Sequence, residues 1–66
     1  MAVARVTEII SGSKKSFQDA IEKGIARANK TLKNVEGAWI QDQTVVLDKG
    51  EIKEYRVAMK VTFIVK

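Results

Sequence analysis

Trp39, Arg56 and a scatter of carboxylates are the side chains with chemistry to offer, because the sequence contains neither His nor Cys. Without imidazole or thiol there is no ordinary nucleophile–base pair and no imidazole acid–base group. Disulfides are excluded, and with them a zinc or iron site of the usual ligand types. An oxygen-ligand site for calcium or magnesium stays open. Paired carboxylates could do acid–base work, but Asp42, Asp48, Glu51 and Glu54 read as solvated strand and turn charges. The stretch Ser11-Gly12-Ser13 is too short and unspecific for a phosphate loop. It reads as a turn and cap, with an anion held on helix N-terminal N–H groups as the sharper alternative. Binding, and not catalysis, is the class of function these residues support.

Two readings attach to each candidate binding residue. Trp39 is either an anchor in a subunit interface or a platform for a planar ligand. Arg56, beside Tyr55, is either half of a surface or intersubunit ion pair or a contact for an anion or a ring carbonyl. Gln41 and Gln43 read as polar strand residues.

The elements that must position these groups follow from hydropathy patterning. Residues 3–10, "VARVTEII", are rich in β-branched side chains and end at a turn signal, which predicts a first strand. Phe17, Ala20, Ile21, Gly24, Ile25, Ala28 and Leu32 then recur at steps of three and four, one stripe of an amphipathic helix. Ser13 or Ser16 caps its start, and Asp19 sits favourably near the positive end of its dipole. Gly24, on the apolar stripe, predicts a close approach of the sheet. From Tyr55 to Val65 the odd positions are apolar while most even ones are polar, the mark of a half-buried antiparallel strand. A turn at Lys49-Gly50 pairs Asp48 with Glu51 and Leu47 with Ile52. That register places Gly37, Trp39, Gln41 and Gln43 with Arg56, Ala58 and Lys60 on the face turned away from the helix. The expected order is β-α-β-β, an α+β chain in one domain spanning residues 1–66.

Size and charge bound the partners. A chain of 66 residues buries only roughly 60% of its unfolded surface, so a fold this small and free of disulfides leans on self-association. The net charge of +4 could favour phosphorylated small molecules. The basic residues are spread and form no cluster, which argues against nucleic acid. No apolar run approaches the ~20 residues that span a bilayer, and the start carries no signal-peptide pattern, so a cytoplasmic protein is expected.

The whole chain resembles the dodecins, small flavoproteins, on three stretches: "EIISGSKKSF", "AIEKGIARANKTLKNV" and "GEIKEYRVAMKVTFIV". The resemblance implies a three-stranded antiparallel sheet wrapped around one helix and twelve such subunits in a hollow homododecamer. It also implies binding or storage of flavin (riboflavin or FMN) without turnover, and some members bind coenzyme A. In flavin-binding members a Trp early in the second strand stacks on the isoalloxazine ring, and a Gln in the third strand contacts its polar edge. Aligned without gaps, those two positions hold Gly37 and Arg56 here. Trp39 lies two residues further on, about 6.5–7 Å along the strand. The resemblance therefore implies a ligand site of Gly37, Trp39, Gln41 and Arg56 with a shifted stacking ring. The alternative it leaves is a branch that has lost flavin and serves as a structural or calcium-binding assembly.

Overall fold

The computed structural model describes residues 3–65. Its elements are β1 (Val3–Ser13), α1 (Phe17–Thr31), β2 (Val35–Asp48) and β3 (Glu51–Val65), with sheet order β1-β3-β2 and both pairings antiparallel. The α+β, β-α-β-β fold read from the sequence is the fold observed. No described helix is long and apolar enough to cross a membrane.

β1 runs three residues beyond its expected end. Ser11, Gly12 and Ser13 pair with Val57, Arg56 and Tyr55, and so continue the strand instead of turning. Gly12 is suited to this because the Glu54 carboxyl lies over it; a Cβ there would come within 2.8 Å of Glu54 Cδ. The turn falls at Lys14-Lys15. Ser13 is buried, donates to Asp19 Oδ2 at 2.5 Å and accepts from the Lys15 N–H at 3.0 Å. Ser16 is the N-cap and accepts from the Asp19 N–H at 3.0 Å, satisfying one of the helix's orphan donors. Leu32 closes the other end through its N–H to Ala28 O at 2.8 Å.

The helix buries Ala20, Gly24 and Ala28 against Val57, Met59 and Val61, three consecutive odd positions of β3. Ile9, Phe17, Ile21, Ile25, Leu32, Val35, Ala38 and Ile40 pack around them. A Cβ on Gly24 would lie 3.0 Å from both Met59 Cε and Ser11 Cβ, so the close approach expected at this glycine is real. Phe17 meets Tyr55 edge-on, with centroids 5.1 Å apart.

The hairpin outruns the helix. The molecule is 51 Å long but only 19 by 14 Å across. Its tip is a two-residue turn in which Lys49 and Gly50 both have positive φ, the type I′ geometry that matches strand twist. The expected pairs Asp48–Glu51 and Leu47–Ile52 form.

Candidate functional site

The face away from the helix is built from the even residues of β1 and β3, as the register shows. Glu8, Lys60 and Trp39 form one cross-strand row; Val6, Thr62 and Gly37 form the next; Ile10, Ala58 and Asp42 lie on the other side. Directly opposed residues of antiparallel strands share a face, so these nine residues line one surface. The large apolar side chains among them are uncovered: Val6 is 58% exposed, Ile10 72% and Trp39 64%. Trp39 thus stands on the bare side, as the register from the turn predicts.

Lys60 was the member of this surface whose role the sequence reading left unassigned. Its Nζ lies 5.3 Å from the centroid of the Trp39 ring, a cation–π contact. The turn register already implies the pair, since counting back from Leu47–Ile52 reaches Trp39–Lys60. Two bulges intervene, Lys53 extra on β3 and Gln41 extra on β2, and their shifts cancel.

Between those bulges the faces are exchanged, and this corrects one expectation. Gln43 lies opposite Val57 and so belongs to the helix-side face, away from the Trp39 surface. The reason is the extra residue at Lys53, which slips the pairing by one and reverses every side chain until Gln41 restores it. Gln41 is exposed and has no partner in the β3 ladder.

Gly37 and Arg56 keep their expected face but lie apart. Gly37 pairs with Thr62 and Arg56 with Thr44, six positions distant along β3, about 20 Å at strand rise. Trp39, opposite Lys60, is four positions from Arg56 along β3, roughly 13 Å at strand rise. Arg56 is engaged locally, its Nε donating to Glu54 Oε1 at 2.5 Å. The space beside Gly37 is open, with no heavy atom within 4 Å of an added Cβ.

The Ser13 hydroxyl, and then Lys23 at 3.3 Å and Lys15, hold the Asp19 carboxyl below its ordinary pKa against the opposing effect of burial. It lies in the first turn of the helix and is not on the Trp39 face. Among the described residues no three acidic side chains gather into a metal-binding group.

Comparison with known proteins places this geometry. The Dodecin family model matches residues 3–66. The dodecin of Thermus thermophilus is 28% identical over 61 residues, covering 92% of this chain and 88% of the relative. Among solved structures, the dodecin from Streptomyces davaonensis superposes with a TM-score of 0.93 at 34% identity, covering 98% of this chain and 96% of that one. A calcium-chelating antigen of Mycobacterium tuberculosis, described as a calcium dodecin with a novel calcium-binding site, has a TM-score of 0.85 at 28% identity. It is matched over 97% of this chain and 91% of its own. The chain belongs to the dodecin family.

Proposed function

We propose that this protein is a non-catalytic binding subunit of a homo-oligomeric, dodecamer-type shell in the cytoplasm. Its ligand is a flavin (riboflavin or FMN) or a related planar phosphorylated molecule stacked on Trp39. The observation that carries the reading is the indole itself, 64% exposed on a sheet face that its own helix leaves bare, next to open space at Gly37. An aromatic face of that size in water favours being covered by another flat ring. The assembly is supported by the small core: Ala20, Ala28, Val57, Met59 and Val61 are the buried apolar residues, while Val3, Val6, Ile10, Leu47 and Ile52 are each more than half exposed. So much aliphatic surface on so short a chain favours copies of itself as the cover.

Fluorescence titration tests the ligand. Riboflavin and FMN at tens of micromolar should lose emission on stacking, and Trp39 emission should fall in parallel. Trp39→Ala should abolish the flavin signal. Unchanged emission from both partners would refute flavin binding.

A second reading has its own support. Arg56 stands where the resembling flavin binders carry Gln, and a guanidinium donates hydrogen bonds but accepts none from a flavin imide. With Gly37 at the other ring-contacting position, this favours a flavin-free assembly that holds calcium, as its Mycobacterium tuberculosis neighbour does. Because no acidic triad forms among the described residues, such a site would be assembled between subunits. Calorimetric titration with calcium chloride distinguishes the two readings: heat on calcium and none on flavin selects the second.

A further inference from the structure

We infer that Lys60 fixes the charge class of the ligand, so that the Trp39 surface takes a planar ring bearing an anionic group in preference to the same ring without one. This rests on the proposed stacking at Trp39. Lys60 is the basic residue directly opposite Trp39, held mid-strand on β3 between Glu8 and Trp39. Arg56, the other basic residue of that sheet face among the described residues, is already paired with Glu54 at 2.5 Å. Among the described residues the ion pairs are Arg56–Glu54 and Lys23–Asp19, so Lys60 has none, although Glu8 lies directly across from it. Its ammonium rests instead against the indole ring, 5.3 Å from the centroid.

Both ways of stacking a ring on Trp39 lead to the same selectivity. A ring arriving on the face that Lys60 occupies displaces the ammonium from the indole. A neutral ligand offers only carbonyl or hydroxyl acceptors in its place, whereas a phosphate supplies a stronger, charge-assisted partner. A ring arriving on the opposite face leaves the ammonium in place. Its charge then sits beside the bound ligand, and a phosphate on a flexible chain can reach it. Glu8 and Asp42, on the same surface, oppose the effect and hold it to a moderate size. About three- to fivefold is the expected scale for one exposed charge contact.

Riboflavin and FMN differ by the phosphate alone, which makes them the probes. For the assembled protein at low salt, FMN should bind about three- to fivefold tighter than riboflavin. Lys60→Met should bring the two affinities together through loss on the FMN side, and Lys60→Arg should keep the preference. In the unsubstituted protein, raising the salt to about 0.5 M should shrink the FMN-to-riboflavin ratio, a test that needs no variant. A ratio near one at low salt, a ratio insensitive to salt, or a ratio unchanged in Lys60→Met would overturn the inference while leaving flavin stacking intact. Failure of both flavins to bind the unsubstituted protein would remove the stacking reading and this inference with it.

Discussion

Gly24 and Met59 meet so closely that the helix and the sheet have no room for a methyl group between them: a Cβ at Gly24 would stand 3.0 Å from Met59 Cε, and equally close to Ser11 Cβ. This contact sets how deeply α1 sits in the sheet. Glycine in a helix interior costs about 1 kcal/mol relative to alanine. The close packing of Met59, fully buried at the core, offsets that cost.

Replacement of this glycine by a large side chain should be harmful. Gly24→Leu must push α1 off β1 and β3, and overpacking of this kind costs about 1–3 kcal/mol. Urea unfolding at fixed protomer concentration, with the midpoint falling and the slope unchanged, is the expected result.

The turn at the hairpin tip should accept improvement. Lys49 has φ of 54°, a left-handed conformation that Asn adopts more readily than Lys. Lys49→Asn should raise stability by about 0.5 kcal/mol, since the left-handed region costs a side chain such as Lys on the order of 1 kcal/mol. Thermal unfolding compared at equal concentration checks it.

Acid resistance should depend on Ser13. The Ser13 hydroxyl and Lys23 lower the pKa of Asp19 in the folded state below its ordinary value of 3.8. A carboxylate depressed by folding stabilises the protein above its unfolded pKa, and that contribution is lost as pH falls through the folded value. Stability from Asp19 is therefore complete near neutrality and declines below about pH 4. Ser13→Ala should move the acid-unfolding midpoint to higher pH, measured by circular dichroism from pH 6 to 2. Asp19→Asn should abolish the corresponding step in the stability profile.

Gly37 tests the shifted ring. Nothing lies within 4 Å of an added Cβ, so Gly37→Trp should fold normally within the subunit. It should strengthen flavin binding if the missing ring at that position limits affinity. If Arg56 is the obstacle, Gly37→Trp alone should gain nothing and Arg56→Gln should be needed as well.

What the sequence revealed and what it hid have separate physical causes. The odd-numbered face of β3 was legible because Val57, Met59 and Val61 alternate with better-hydrated neighbours, and a period of two admits one buried face. The turn was legible because Gly50 supplies a positive φ. Lys49 at its side gave no sign, because the twist of the two strands imposes its conformation and its own preference does not. The bulges at Lys53 and Gln41 left no mark either, and they turned Gln43 to the other face. Trp39 was placed correctly because the two shifts between it and the turn cancel. Ser11-Gly12-Ser13 looked like a turn by composition, while pairing with β3 and the Glu54 carboxyl over Gly12 keep it in the strand. The turn register also separates Gly37 from Arg56 by six positions along β3, because the count from Leu47–Ile52 places Gly37 opposite Thr62.

The most direct measurement is a crystal structure of the assembled protein grown with FMN. The isoalloxazine should lie parallel to the Trp39 indole at ~3.5 Å, with its phosphate directed to Lys60 and a second subunit closing the other side. An indole covered on both faces by protein, in crystals that hold no flavin, would contradict the account.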